Sequence, residues 1–448
     1  MIKNFTPPLI FGLFLGFAWQ HFEWLFWLNF IGFTYPYLWI KSPNTTSVKV
    51  AQMLLFLLPW FTIGGFWLNS YNTNLYLFGV GVYSLLYALP FLMTIAVTKK
   101  LQQKFHVLSF LIFFLAVEYI QEAFHPFVPW FNLGNGFAAS SFQIPILQIL
   151  GSRGVSLMVL VIAFMLGKSY LNNKAKQPKR QFHWLLILPF ILPYLKSHEV
   201  IESAKEKVLF IQPHKQINHQ LKTNEILFQL SEENLTKVSL ALAPESFFDT
   251  TVGDEFSEFQ KVSSTFKSQN IPFYFGYVQN SPYKNLILNS SFDTVYEKQR
   301  PVPVVEANIF SNLSSTHKNA DFAICSEAVY ANLFQEKAKK TSGKVMMFSN
   351  DIWFENSSAF KHHALMLRLR AAETGNTIYS VANSGLSGIF LPNGEFQLID
   401  KQKLVDIKTI VPIEINTSFA DYGDVLGRLS LLFAPFLILY AFTLRAKF

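Results

Sequence analysis

Three residues of the chain could do acyl chemistry together. Glu245 follows the apolar run Ser239-Leu-Ala-Leu-Ala-Pro244, Lys298 lies in Tyr296-Glu-Lys-Gln-Arg300, and Cys325 sits between Phe322-Ala-Ile324 and Ser326-Glu327. All three stand at or near the ends of short strand-like runs, where α/β folds place reactive groups. Each has a plainer reading taken alone: a solvated carboxylate, a surface ammonium, and an inert buried thiol. Together they make a machine. A thiol near its ordinary pKa is mostly protonated, and only the thiolate attacks well. A carboxylate can take that proton. An ammonium can hold the oxyanion that forms when the thiolate adds to a carbonyl. The turn after Cys325 adds backbone N–H donors if it opens a helix.

Alternating strands and helices would position these groups. Apolar, β-rich runs mark strands at 208–212, 238–244, 271–278, 285–292, 322–325, 344–350 and 377–383. Helical stretches are expected from Cys325 through Lys340 and over Ala359–Thr374, and a hairpin is expected over 388–397 around Asn393-Gly394. This alternation implies an α/β layered fold with a mixed sheet.

The rest of the 448-residue chain is of another kind. Half of the sequence is hydrophobic and 48 residues are Phe. Eight apolar segments stand out, at about 7–22, 24–40, 50–68, 75–97, 105–120, 144–167, 182–195 and 425–443. A bilayer core asks for roughly 17–25 helical residues. The expected organisation is an N-terminal membrane domain over 1–195 with about seven transmembrane helices. A globular domain over 196–424 and a last transmembrane helix with a short tail over 425–448 complete it. The first segment is read as a spanning helix rather than a cleaved signal, since no small-residue cleavage site follows it.

Charge placement sets the orientation. With the N-terminus cytoplasmic, one side receives Lys3, Lys41, Lys49, Lys99, Lys100, Lys104, Lys168, Lys174, Lys176, Lys179, Arg180, Arg445 and Lys447. The short loops of the other side hold almost no Lys or Arg apart from Arg153. That asymmetry puts both termini and the basic loops in the cytoplasm, and the globular domain outside it. The net charge of +8 is therefore a membrane-orientation signal and not a nucleic-acid footprint. A single cysteine allows no intrachain disulfide and no Cys-rich metal site.

The order Glu245, Lys298, Cys325 resembles the Glu–Lys–Cys triad of the nitrilase (carbon-nitrogen hydrolase) superfamily, and within it the apolipoprotein N-acyltransferases. Further segments resemble that family in the same order: Ser349-Asn-Asp-Ile-Trp353, Arg370-Ala-Ala-Glu-Thr-Gly375, Ala382-Asn-Ser-Gly385, Leu391-Pro-Asn-Gly394, and Thr417–Asp424 with Tyr422-Gly-Asp424. Pro129-Trp130 with Leu133-Gly134 resembles an outer-loop motif of the family. Three departures stand beside these. Ser326 occupies a position that is often Tyr, Pro303-Val-Val-Glu306 replaces Pro-Phe-Gly-Glu, and an arm near Lys215–Thr223 is short and lacks Trp.

The resemblance implies an αββα sandwich joined to a bundle of about eight transmembrane helices. It implies transfer of a fatty acyl chain from a membrane phospholipid, through a Cys325 thioester, to the N-terminal amine of a diacylglyceryl apolipoprotein. Glu245 is the implied base and Lys298 the oxyanion partner; Glu306 and Glu327 orient Lys298 or the incoming amine. It implies no cofactor and no metal, and places the enzyme in a bacterial inner membrane with its catalytic domain in the periplasm. The alternatives are a membrane-tethered amidase that passes its acyl group to water and a non-catalytic membrane binding protein.

Overall fold

The computed structural model describes residues 4–124, 128–175, 199–213, 219–233, 235–249, 255–280, 283–302, 305–306, 319, 321–354 and 357–443. The chain divides into two compact units: Met1–His125 with Pro129–Ser197 and Tyr422–Phe448, and Pro126–Val128 with His198–Asp421.

The first unit is helical. Its long elements are α1 (Thr6–Gln20), α2 (Thr46–Gly64), α3 (Thr73–Thr98), α4 (His106–Ala123), α5 (Ile144–Lys174, kinked at Gly151) and a helix over Val425–Thr443. Five of the described helices are long and apolar enough to cross a membrane: Thr46–Gly64, Thr73–Thr98, Gln103–Ala123, Ile144–Lys174 and Val425–Thr443. Among the described residues, two of the eight expected segments depart from a single spanning helix. Segment 7–22 forms a 15-residue helix, short for a span. Segment 24–40 is broken into Phe22–Leu25, Leu28–Gly32 and Thr34–Lys41. The break is local: the Asn29 amide donates back to the Phe26 carbonyl at 2.9 Å, and Pro36 suits the first turn of a new helix better than the interior of an old one. Segment 182–195, with Lys176, Lys179 and Arg180 before it, lies outside the described residues, as do Arg445 and Lys447.

Aromatic rings fill this unit. Phe33, Phe56, Trp60, Phe61, Tyr87 and Phe91 are buried and meet one another edge-on or stacked, with Trp60 and Phe61 centroids 4.5 Å apart. Lipid tails give helices little hydrophobic reason to associate, so such close packing has to hold them. Leu432, Phe436, Leu439 and Phe442 on the last helix point outward, as apolar side chains facing lipid would.

Arg153, the exception to the charge asymmetry, is buried rather than a loop charge. Its guanidinium meets Glu122 at 2.5 Å and Asp424 at 3.1 Å, and donates to the Glu118 carbonyl at 3.0 Å. Asn132 and the Leu133 N–H also donate to Glu122 and Glu118. The Pro129–Gly134 loop and the Tyr422-Gly-Asp424 segment, which share a resemblance but lie far apart in sequence, therefore converge on one buried ion cluster.

The second unit carries the sheets. Its strands are β1 (Val200–Glu202), β2 (Glu206–Ile211), β3 (Val238–Asp249), β4 (Phe273–Asn280), β5 (Tyr283–Asn289), β6 (Thr294–Glu297), β7 (Phe322–Ile324), β8 (Lys344–Asn350), β9 (Thr377–Asn383), β10 (Gly388–Phe390), β11 (Phe396–Leu398), β12 (Val405–Ile410) and β13 (Ile413–Ile415). Instead of one mixed sheet there are, among the described residues, two large ones beside the β1-β13 pair: a six-stranded sheet ordered β12-β2-β3-β4-β5-β6, and a five-stranded sheet ordered β11-β10-β9-β8-β7. Both mix parallel and antiparallel pairs. β1 pairs only with β13.

The strands read as near-continuous apolar runs because both faces of each sheet are covered. One core joins the sheets face to face: Val208, Phe210, Leu242, Ile287 and Tyr296 from the first pack with Phe322, Ile324, Phe348, Tyr379 and Val381 from the second. A second core lies between the six-stranded sheet and the helices α6 (His219–Glu232) and α7 (Glu255–Ser268), through Ile226, Leu230, Phe259, Val262 and Phe266. The helices α8 (Ala331–Ala338) and α9 (Ala359–Thr374) accompany the five-stranded sheet. The result is the αββα sandwich. We number the helix over Val425–Thr443 α10.

Candidate active site

The sandwich brings the three sequence-predicted groups together. Glu245 projects where β3 loses register with β4, between Ala243 and Phe248, and the next residue, Ser246, has φ +53°. β4 passes this irregularity at Gly276. A Cβ there would lie 2.4 Å from the Glu245 Cα, so glycine is what lets the neighbouring strand come this close. Lys298 is the first residue after β6, and its N–H donates to the Asn285 carbonyl of β5 at 2.9 Å. Cys325 is the first residue after β7 and has φ +46°, a left-handed conformation that costs a residue with a Cβ about 1–2 kcal/mol.

All three side chains are nearly shut off from solvent, at 4% exposed for Glu245, 6% for Lys298 and 8% for Cys325. The Cys325 thiol and the Glu245 carboxylate lie close enough for each to act on the other's proton affinity. The Lys298 ammonium lies 3.5 Å from Glu245 and 2.8 Å from Glu306. Two further donors fix Glu245: the Asn285 amide at 2.5 Å and the Asn350 N–H at 2.7 Å. Glu306 accepts from the Val302 N–H at 2.6 Å and from Tyr283 at 3.3 Å.

The electrostatics suit a proton transfer. Burial pushes the Cys325 thiol well above its ordinary value, and the Glu245 charge adds to that, while Lys298 pulls it back. Burial also raises Glu245, against Lys298 and the Asn285 hydrogen bond, making it a better proton acceptor than a free carboxylate. Burial works against the Lys298 charge, but Glu306 and Glu245 outweigh it and hold the ammonium firmly protonated. Glu306 is lowered: burial opposes its charge, and Lys298 more than compensates.

Glu306 and Glu327 have different positions. Glu306 touches Lys298 directly. Glu327 is fully buried and accepts from the Ile324, Gln299 and Arg300 N–H groups, at 2.7, 2.6 and 3.1 Å, and from the Tyr296 hydroxyl at 2.8 Å. It ties the Cys325 turn to the segment carrying Lys298. Ser326 adds a bond from its hydroxyl to the Arg300 carbonyl at 2.8 Å. Residues 215–218 of the arm near Lys215–Thr223 fall outside the described residues, as does Pro303-Val304, and the arm's remainder opens α6.

Residues 11–165 match the family model described as the apolipoprotein N-acyltransferase N-terminal domain. Apolipoprotein N-acyltransferase of Haemophilus influenzae is 24% identical over 500 residues, covering 97% of this chain and 94% of that protein. The Rickettsia prowazekii apolipoprotein N-acyltransferase is 23% identical over 460 residues, covering 90% of this chain and 92% of that protein. Over nearly its whole length the chain is thus similar to apolipoprotein N-acyltransferases. The match to the family's Wigglesworthia glossinidia brevipalpis member, 23% identical, spans 60% of this chain and 62% of that protein. Among solved structures, an amidase of Nesterenkonia from the nitrilase superfamily covers 50% of this chain and 93% of its own, at 12% identity and a TM-score of 0.34. A Helicobacter pylori carbon-nitrogen hydrolase covers 50% and 92%, at 14% identity and a TM-score of 0.34.

Beside Asn285 and Asn350, two more residues of the site were not marked as candidates in the sequence. Asp351 lies in the Ser349–Trp353 segment and His363 in α9. His363 Nδ1 is 2.9 Å from Asp351, and its Nε2 is 3.1 Å from the Cys325 carbonyl oxygen. The available signal was the adjacent pair His362-His363 in a helical stretch, and both residues are buried. Cys325 Sγ, an Asp351 oxygen and a His363 nitrogen lie within 4.8 Å of one another, but both ring nitrogens are already engaged, which leaves the histidine no lone pair for a metal.

Proposed function

We propose that the chain N-acylates lipoproteins in two half-reactions through a Cys325 thioester. The observation that carries this reading is the buried Glu245 carboxylate, paired with the Lys298 ammonium at 3.5 Å and acting electrostatically on the Cys325 thiol. In the first half-reaction Glu245 takes the thiol proton, and the thiolate adds to an ester carbonyl of a membrane phospholipid. Lys298 holds the oxyanion. The intermediate collapses, the proton on Glu245 goes to the departing alkoxide, and a lysophospholipid leaves. In the second, the N-terminal amine of a diacylglyceryl-cysteine attacks the thioester and gives a proton to Glu245. An amide forms, and the thiolate is expelled and reprotonated. Glu306 keeps Lys298 charged and in place throughout, while Glu327 holds the two segments in register.

Both substrates are lipid-anchored, which suits a catalytic unit joined to membrane-crossing helices. In this proposal the membrane is the bacterial inner membrane, with the unit carrying Cys325 in the periplasm. The family and the basic-loop asymmetry support that placement.

The test is a reconstituted assay in proteoliposomes, with phospholipid as the sole acyl source and a diacylglyceryl lipopeptide as acceptor. The mass of the intact protein before acceptor is added should rise by one acyl group at Cys325, and adding lipopeptide should return it to the free thiol with an N-acyl product. Free fatty acid in place of N-acyl lipopeptide would identify an amidase-like hydrolase. No mass change and no product would remove the enzymatic reading.

A further inference from the structure

The left-handed turn at Cys325 needs something to hold it. The strain sits on the nucleophile itself, and strained backbone persists only where its surroundings over-determine it. On one side Glu327 accepts the Ile324 N–H. On the other, the Cys325 carbonyl meets His363 Nε2 at 3.1 Å, and His363 Nδ1 meets Asp351 at 2.9 Å. A backbone carbonyl can only accept. For Nε2 to donate to it while Nδ1 faces a carboxylate, both ring nitrogens must carry protons, so the partners themselves specify an imidazolium.

We propose that the Asp351–His363 pair positions the nucleophile: its imidazolium clamps and polarises the Cys325–Ser326 peptide and so keeps the strained turn that presents the thiol to Glu245. Four observations support the pair as a built device. Asp351 and His363 are 1% and 2% exposed, so neither is a chance surface contact. Gly385 is shaped around the pair: a Cβ there would lie 2.8 Å from the Asp351 Cβ and closer still to its carboxylate. Asp351 directly follows Asn350, whose N–H holds Glu245 at 2.7 Å, so a single turn secures the base with one residue and the clamp with the next. Finally, peptide planarity makes the Cys325 carbonyl and the Ser326 N–H parts of one rigid unit, so gripping the first orients the second.

The groups facing His363 support its charge. Asp351 lies on the turn after β8, Glu245 on β3, and the Cys325 thiol after β7; the Phe354 ring sits 5.3 Å away. Lys401 is the cation that acts on Asp351 from the loop before β12. Burial alone would drive the imidazolium toward neutrality, but Asp351, the Cys325 carbonyl and Glu245 together raise it above its ordinary value.

The inference rests on the acyl-transfer reading only for its purpose, because it is tested on the thiol without any acyl donor. Cys325 is the sole cysteine, so iodoacetamide reports on it alone. The experiment compares alkylation rates from pH 5.5 to 8.5 for the full-length chain and for Asp351→Asn and His363→Gln, all in the same detergent micelles. In Asp351→Asn the histidine loses its counter-charge and gives up its proton as pH rises. Its rate relative to wild type should be near one at pH 5.5 and fall about tenfold by pH 8.5, the difference between a charge-assisted and a neutral hydrogen bond. Glutamine does not titrate, so His363→Gln should be slowed by a similar factor at every pH. A second measurement needs no variant to fold: nitrogen NMR of the wild type should show a histidine that stays doubly protonated at pH 8. Ratios independent of pH in Asp351→Asn, or rates equal to wild type in both variants, would overturn the proposal, as would a wild type with every histidine neutral at pH 8. Loss of lipoprotein acylation by the wild type with these alkylation effects intact would instead refute the proposed function and leave the clamp standing.

Discussion

Replacing Lys298 with Met keeps the stem and removes the charge. Among the described residues, Lys298 is the one cation contacting both Glu245 at 3.5 Å and Glu306 at 2.8 Å. At an effective dielectric of about 20, these contacts are worth about 5 and about 6 kcal/mol of attraction before desolvation is charged against them. Without them, two buried carboxylates that share the Asn285 amide face each other with no compensating ion. Part of the lost attraction reappears as proton uptake: Glu245, already raised by burial, moves further up, so less of it is the carboxylate that takes the thiol proton. Loss of the oxyanion partner alone costs about 10²–10³ in rate. Together these put Lys298→Met at least about 10³-fold below wild type in thioester formation, measured as single-turnover acylation by intact-protein mass. The pH dependence is the sharper signature. A carboxylate with a raised pKa recovers its charge only at higher pH, so residual acylation should climb with pH in the variant more steeply than in wild type. Acylation within tenfold of wild type, with an unchanged pH profile, would refute the electrostatic account of the site.

Cys325→Ala should abolish acylation while the protein stays folded, and Cys325→Ser should be nearly as poor, since the same base cannot readily deprotonate an alcohol; both are read by product formation and circular dichroism. Glu327→Gln replaces an acceptor of three N–H groups with a side chain that is half donor, and should cost about 2–4 kcal/mol in denaturant unfolding and reduce acylation through Lys298. Gly276→Ala forces a Cβ against the Glu245 backbone and should cost about 1–3 kcal/mol, with acylation reduced in a protein that still folds. Alkaline phosphatase fused after Lys176 should be inactive and after Ser203 active; equal activity at the two sites would show that segment 182–195 does not cross and would place Cys325 away from exported lipoproteins.

The alternation of strands and helices was legible because both layers bury the sheet faces, which leaves apolar runs bounded by polar turns. Strand β8, helix α9, strand β9 and the hairpin over β10 and β11 stand where the sequence places them. The division into two sheets was not legible from periodicity, since a strand buried on both faces reads the same in either. Strand β6 was missed although it leads into Lys298: Thr294–Glu297 is four residues with one fully buried side chain, too short to show a period. Five of the membrane segments were legible as helices, and one was legible as hydropathy alone. Residues 24–40 are as apolar as a span and are broken by the hydrogen bonds of Asn29 and by the placement of Pro36, which hydropathy does not weigh. Asn285 was hidden for another reason. It lies in a strand reading, and only the fold shows that its amide bridges Glu245 and Glu306.

The site also explains why its residues are so dispersed in sequence. Glu245 and Lys298 come from the six-stranded sheet, while Cys325 follows β7, Asn350 ends β8 and Asp351 follows it in the five-stranded one. Neither sheet holds a working half. The six-stranded sheet alone would expose a Lys298–Glu306–Glu245 group to water, which would screen it and return each member toward its ordinary pKa. The five-stranded sheet alone would hold a strained thiol with no base. The apolar core of Val208, Phe210, Leu242, Phe322, Ile324 and Phe348 brings the sheets together and expels the water. Sheet docking therefore assembles the proton acceptor, the oxyanion partner and the nucleophile in one step, and the two residues that cross the seam most directly, Glu327 and Asn350, do so through backbone N–H bonds that no side-chain pattern in the sequence could announce.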